Sequence, residues 1–223
     1  MTSLFLGSCN LPNIFSIPLF NSSTSLDILD LSYNNLTSFS SVLEWLFNSN
    51  TKVVELYLYD NQFQGLISDA FSRINPLAHL NLDYNEFEGE IPKAFGGMCN
   101  WKTLSLTRNY LNEQLLDFIL NWTKCANHSL ESLHLYRNHL NGTIPVSLGK
   151  LSNLEFLYLS NNPLEGVIFE AHFSKLTKLK YLVLSNTLLV FNINSVWVPP
   201  FQLKTIRLES CQLGPRFPKW LQT

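Results

Sequence analysis

One spacing, LxxLxLxxN, returns throughout this 223-residue chain. It runs through Leu26, Leu29, Leu31, Asn34 and Leu36, then Val53, Leu56, Leu58, Asn61 and Phe63, then Leu77, Leu80, Leu82, Asn85 and Phe87. Copies from Trp101, Leu130 and Leu154 continue it with Asn109, Asn138 and Asn162 at the last position. Weaker copies start at Met1, Leu179 and Leu203, where Cys9, Thr187 and Cys211 replace the asparagine. The nine starts, near 1, 26, 53, 77, 101, 130, 154, 179 and 203, lie 24 to 29 residues apart. Self-similarity at such a period marks an array in which each unit is one supersecondary element.

The spacing dictates the geometry. In the LxL segment the two leucines share one face of a short strand, and strands stacked in parallel bury that face. The asparagine comes just after the strand, where its amide both accepts and donates to backbone groups of the neighbouring turn. Asn34, Asn61, Asn85, Asn109, Asn138 and Asn162 are thus expected to form a ladder along the stack. A single repeat buries too little apolar surface to offset the ordering of its backbone, so the repeats must fold together. Most of the 42 leucines and 24 asparagines find their places in this scheme.

Composition excludes several alternatives. With 46% hydrophobic and 14% charged residues the chain is too apolar to stay disordered, and no run approaches the 18 apolar residues of a membrane-spanning helix. The net charge of −2 conceals an asymmetry: residues 1–100 hold three basic and ten acidic residues, net −7, and residues 101–223 hold twelve and seven, net +5. Neither half has the basic runs of a nucleic-acid binder. No kinase signature, phosphate-binding glycine loop or HExxH sequence occurs, and Gly142 to Leu151 has the wrong spacing for a phosphate loop. His128, His134 and His139 lack metal-ligand spacing, and no nucleophile, base and orienting group can be assembled. The expectation is a non-enzyme with no metal and no cofactor.

The residues just beyond each strand narrow the class. After Asn85 the chain reads Phe87-x-Gly89-x-Ile91-Pro92, after Asn138 Leu140-x-Gly142-x-Ile144-Pro145, and Gly65-x-Ile67 and Gly166-x-Ile168 keep most of the pattern. Here the chain resembles the plant-type extracellular leucine-rich repeat, LxGxIPxxLGxLxxL, nearly end to end. The resemblance implies a leucine-rich repeat solenoid, an α/β-type right-handed superhelix. A parallel β-sheet would line its concave face, with short second strands and 3₁₀ turns rather than long helices on the convex face.

The stretches Leu43-Glu-Trp-Leu-Phe-Asn48, Glu90-Ile-Pro-Lys-Ala-Phe95, Glu170-Ala-His-Phe173, Trp197-Val-Pro-Pro-Phe-Gln-Leu203, Ser210-Cys-Gln-Leu-Gly-Pro215 and Phe217-Pro-Lys-Trp-Leu-Gln222 are similar to the receptor-like proteins of plant immunity, a group that includes the fungal xylanase receptors. That similarity implies the ligand-recognition segment of a cell-surface receptor-like protein in plant defence or signalling, without kinase activity. Its partners would be an extracellular protein or peptide ligand and a co-receptor kinase, and its place the extracellular face of the plasma membrane. Whole receptor-like proteins add a signal peptide, cysteine-paired caps and a membrane helix. The chain therefore reads as a segment without caps, or as a truncated, non-functional gene product. The alternative is a secreted inhibitor of a microbial cell-wall-degrading enzyme, resembling the polygalacturonase-inhibiting proteins.

Outward positions of the strands supply the candidate ligand-binding residues: Asp30, Tyr33, Glu55, Tyr57, Tyr59, Asp60, His79, Asp83, Tyr84, Arg108, His134, Tyr136, Arg137 and Tyr158. Six of the chain's eight tyrosines fall in this set. A rigid amphipathic ring beside charge suits a binding surface, although strand-favouring aromatics also cover a wide sheet without binding anything. Acidic residues occupy the first strands and Arg108 and Arg137 later ones, so a peptide lying along the face would be oriented by charge. Cys99 and Cys125 flank the 29-residue repeat, where a disulfide would close the extra residues into a loop. Cys9 and Cys211 are expected to be free. Glycosylation sequons stand at Asn21, Asn35, Asn121, Asn127 and Asn141, of which Asn121 and Asn127 lie in the loop of the longest repeat.

Overall fold

The computed structural model describes residues 2–12, 26–48, 52–122, 129–214 and 219–221. Among them, the strands Ser3–Phe5, Ile28–Asp30, Glu55–Tyr57, His79–Asn81, Thr103–Ser105, Ser132–His134, Phe156–Tyr158, Tyr181–Val183 and Thr205–Arg207 form one parallel sheet in chain order. Each strand takes the middle of its repeat, as the spacing predicts. The register aligns Leu4, Leu29, Leu56, Leu80, Leu104, Leu133, Leu157, Leu182 and Ile206 in a single column. From Leu29 to Leu182 this column is completely buried. A slip of one residue would turn it outward and expose every one of these leucines, so the register is strongly fixed.

Shorter strands pair on the other side of the core. Gln64–Leu66, Glu86–Gly89 and Tyr110–Leu111 form one three-stranded sheet, and Gly142–Thr143, Leu164–Ile168 and Leu188–Phe191 another. The glycine that precedes Ile by two residues is required here: Gly89 has φ +75°, and a β-carbon on it would overlap the Leu66 side chain.

The convex side carries the expected 3₁₀ turns and, beside them, two short α-helices. Four repeats of 24 or 25 residues return through 3₁₀ helices, at Asp69–Arg73, Lys93–Gly97, Val146–Lys150 and Glu170–His172. The 27- and 29-residue repeats instead carry α-helices, Phe39–Asn48 and Leu115–Trp122. Their extra residues place Phe39, Val42, Leu43 and Leu46, and likewise Leu115, Phe118, Ile119 and Trp122, at helical spacing on a buried face. These helices deepen an aromatic core in which Phe39 meets Phe63 and Phe87 at 5.4 and 5.0 Å, Phe95 meets Trp101 at 5.3 Å, and Trp101 stacks on Trp122 at 5.8 Å. The Glu170-Ala-His-Phe173 stretch also gains a structural role. His172 is buried; its Nδ1 accepts the Phe169 N–H at 3.1 Å, which leaves Nε2 to donate to the Ile144 carbonyl of the preceding repeat at 3.0 Å.

Candidate functional site

The asparagines fix the edge of the concave sheet. Asn85 Nδ2 donates to the carbonyls of Leu58 in the preceding repeat and Leu82 in its own, at 3.0 and 3.1 Å, while its Oδ1 accepts the Phe63 N–H at 3.1 Å. Asn109, Asn138 and Asn162 repeat this arrangement. Asn34 and Asn61 each accept two backbone N–H groups, Cys9 and Leu11 for the former, Asn34 and Leu36 for the latter. In the weaker copies Thr187 Oγ1 and Cys211 Sγ both donate to the Leu184 carbonyl, keeping the donor and losing the acceptor.

Immediately before each ladder position the backbone turns left-handed, with φ between 54° and 67° at Ser8, Tyr33, Asp60, Tyr84, Arg108, Arg137, Asn161, Asn186 and Ser210. Tyrosine and arginine rarely adopt this conformation. It is held because their N–H groups still bond to the next repeat, Tyr84 to the Thr107 carbonyl at 2.8 Å and Arg137 to the Ser160 carbonyl at 2.9 Å. Tyr33, Asp60, Tyr84, Arg108 and Arg137 therefore stand at the rim, where the chain leaves the sheet. Tyr33 and Tyr84 are half exposed there; Tyr33 meets Tyr59 edge-on at 5.0 Å, and the Arg108 guanidinium lies 4.9 Å from the Tyr84 ring centre.

On the sheet itself, Glu55, His79 and Phe156 lie in one outward column, Asp30, Tyr57, His134 and Tyr158 in the next. Tyr57 Oη donates to Glu55 Oε2 at 2.7 Å, and burial together with that carboxylate pushes the phenol up to about 12. These residues border a hollow of about 480 Å³ with Phe5, Ile28, Asp30, Tyr59 and Asn81. Asp83 does not present a free charge. Its carboxylate accepts both Ser105 Oγ and the Thr107 N–H, at 2.7 and 2.6 Å, and burial pushes its pKa up to about 6. It braces two strands. His79 Nδ1 pairs with Thr103 Oγ1 at 3.1 Å. His134 packs edge-on to Tyr158 at 4.6 Å, and burial lowers its pKa to about 4, so it is neutral at physiological pH.

A larger recess, about 730 Å³, opens on the last four strands between Tyr136 and Glu209. Of the sequence candidates Tyr136 and Tyr158 border it, and Tyr181, Val183, Ser185, Arg207 and Glu209 do so too. The outward residues of the weak copies from 179 and 203 were not among the sequence candidates. The same counting from Leu182 and Leu184, or Ile206 and Leu208, gives their positions.

Cys99 is disulfide-bonded and Cys9 and Cys211 are free, whereas Cys125 lies outside the described residues. Asn21 and Asn127 also lie outside them. Asn35 and Asn141 are exposed, and Asn121 is half-buried at the end of the second α-helix.

The family model for the Leucine Rich Repeat matches residues 25–48, 52–74, 76–98, 129–151 and 153–176, just over half of the chain. Receptor-like protein EIX2 of Solanum lycopersicum is 38% identical, the match covering all of this chain and 31% of the relative; Receptor-like protein EIX1 of the same organism is 36% identical over the same shares. The chain thus spans about a third of the length of these curated relatives. Among solved structures, the Arabidopsis receptor kinase HAESA, in complex with the peptide hormone IDA and the co-receptor SERK1, superposes with TM-score 0.69 at 26% identity over 85% of this chain and 30% of that one. The PEPR1–AtPEP1 complex gives 0.60 at 25% identity over 76% and 26%. In sequence and in fold the chain belongs to the leucine-rich repeat family, and along its length it is similar to plant receptor-like proteins.

Proposed function

We propose that this chain is the ligand-recognition segment of a cell-surface receptor-like protein of plant defence or signalling. Its concave sheet receives an extracellular protein or peptide, and the signal passes through a co-receptor kinase. The carrying observation is the concave face itself: tyrosines and charged side chains stand in columns on a rigid parallel sheet, with two hollows between them. Tyrosine supplies contact area at little entropic cost and still offers a hydroxyl. The similarity to tomato receptor-like proteins, and to receptor ectodomains solved with peptide hormones, supports a recognition role and an extracellular setting.

The test immobilises the chain and passes over it a panel of secreted fungal proteins, a xylanase among them, alongside displayed random peptides. Binding should fall at least tenfold in the concave variant Tyr57→Ala/Tyr59→Ala/Tyr158→Ala and remain in the convex variant Leu66→Ser, whose target side chain is exposed. Equal binding by the two variants would refute concave-face recognition.

A further inference from the structure

The recess between Tyr136 and Glu209 exists because the sheet changes side-chain size there. At the third outward position of successive repeats stand Tyr59, Asp83, Thr107 and Tyr136, then Ser160, Ser185 and Glu209. Two small residues come after a large ring, and with Val183 they line the recess beside Tyr136 and Tyr158. The walls are fixed before any ligand arrives. Tyr181 stacks on Phe156 at 4.7 Å with ring planes 10° apart, and His134 holds Tyr158 edge-on. At the rim Asn186 Nδ2 donates to Asn161 Oδ1 at 3.2 Å and receives Ser210 Oγ on its own Oδ1 at 3.0 Å.

Two polar groups in this recess, Ser160 Oγ and the Arg207 guanidinium, make no hydrogen bond or close ion pair among the described residues. Ser160 is only 2% exposed, and its buried Oγ has no hydrogen-bond partner in the protein. A buried hydroxyl left unpaired costs about 1–3 kcal/mol; Ser160 lines the recess, and a turn about its χ1 that brings Oγ to an entering group recovers that penalty. Arg207 is exposed at the wall, and no carboxylate of the described residues, which include every Asp and Glu of the chain, forms an ion pair with it. Ser185 Oγ chiefly, and the Arg207 charge more weakly, hold the neighbouring Glu209 carboxyl below its usual range. The groups still on offer are a guanidinium, a buried serine hydroxyl and tyrosine hydroxyls, all able to donate, in the half of the chain that carries net +5.

We infer that this recess is the anchor socket of the concave face and that it takes a side-chain carboxylate from an acidic segment of the protein or peptide ligand. Arg207 supplies the charge-assisted hydrogen bonds, Ser160 a donor at the floor, and Tyr158 and Tyr181 flat walls for the methylenes and the neighbouring residue. A cationic side chain would be repelled by Arg207, and an apolar one would leave Ser160 unpaired. The inference rests on the proposed recognition role and gives its ligand a chemistry.

The experiment is selection of a random dodecapeptide library, displayed with both ends fused so that no free terminus contributes, on the 223-residue chain. Enriched sequences should carry Asp or Glu. A soluble end-capped peptide from that pool should bind at least tenfold more weakly when its acidic residue becomes Gln. It should weaken at least tenfold on Arg207→Glu and about three- to tenfold on Ser160→Ala, and its Glu→Lys version should bind Arg207→Glu better than the native chain. Enrichment without acidic residues, or indifference to Arg207→Glu, overturns the socket. So does a neutral peptide that gains more from a free C-terminal acid than from an internal Glu. If peptides bind but respond only to Tyr57→Ala/Tyr59→Ala, the socket fails and concave recognition stands. If no peptide binds, the socket falls while recognition of a folded protein is judged by the secreted-protein panel; if binding ignores both variants, both readings fall.

Discussion

The asparagine ladder predicts unequal costs for the same substitution. In Asn85→Ala the carbonyls of Leu58 and Leu82 do not become orphans, because Asn61 Nδ2 still donates to Leu58 at 3.1 Å and Asn109 Nδ2 to Leu82 at 3.0 Å. The one group left without a partner is the Phe63 N–H. A buried unsatisfied donor costs about 1–3 kcal/mol, and the two weakened carbonyls add on the order of 0.5 kcal/mol each, for roughly 2–4 kcal/mol. Asn61→Ala removes the acceptor of two N–H groups, those of Asn34 and Leu36, and should cost about 1–3 kcal/mol more. Asn85→Asp should be at least as damaging as Asn85→Ala at neutral pH, since it keeps the acceptor for Phe63 but points an anion at two carbonyls. Urea unfolding monitored by the fluorescence of the buried Trp101 and Trp122 measures the first two differences, and hydrogen exchange at Phe63 and Leu36 locates them. Equal losses for Asn61→Ala and Asn85→Ala, or an aspartate that restores stability, would refute this accounting.

Three further outcomes rest on other contacts. A β-carbon on Gly96 would sit 2.8 Å from the Asn121 carbonyl oxygen, whereas one on Gly97 meets nothing within 4 Å, so Gly96→Ala should lower the melting temperature by the equivalent of about 1–3 kcal/mol while Gly97→Ala is near neutral. Burial, opposed by the Ile91 N–H and reinforced by Glu90 and Asp117, pushes Glu113 up to about 7 from 4.5; folding therefore takes up a proton between those values, and stability falls as pH rises through that window. Glu113→Gln should flatten that slope relative to the native chain and stabilise it at pH 8 by about 1–2 kcal/mol, read from paired denaturant titrations. Cys99→Ser should cost about 2–4 kcal/mol in oxidising buffer and nothing further once reductant is added to both proteins, measured by thermal melting.

How much of this could be read beforehand depends on how far a property reaches along the chain. The strand positions and the ladder come from offsets within one repeat, since alternate residues share a face and the asparagine has one place to go. The two α-helices lie in the longest repeats, whose extra residues the sequence reading assigns to a loop, and the LxGxIP pattern of their neighbours argues for 3₁₀ turns. The buried faces of Phe39–Asn48 and Leu115–Trp122 decide the matter. Asp83 faces outward by the same counting that places Tyr59. Its burial comes from Ser105 and Thr107, more than twenty residues away, and only the register of the stacked strands brings them together. The left-handed turn at Tyr33, Tyr84, Arg108 and Arg137 has no signature in residue type, because those side chains disfavour it.

The recess carries the same argument furthest. No single repeat contains it: its floor needs Ser160 and Ser185, its walls Tyr136 and Tyr181, its charge Arg207, and these span four repeats. Repeats judged by how well they match LxxLxLxxN rank the copies from 179 and 203 as weak, because that match scores the inward column and the ladder. Outward residues contribute nothing to it. A repeat can therefore lose its asparagine to Thr187 or Cys211, keep its stacking through Leu182 or Ile206, and still supply Tyr181, Arg207 and Glu209 to a concave surface. In a solenoid the inward columns hold the stack together and the outward ones are free to vary, so recognition residues are to be sought by register, strand against strand, and not by strength of the repeat.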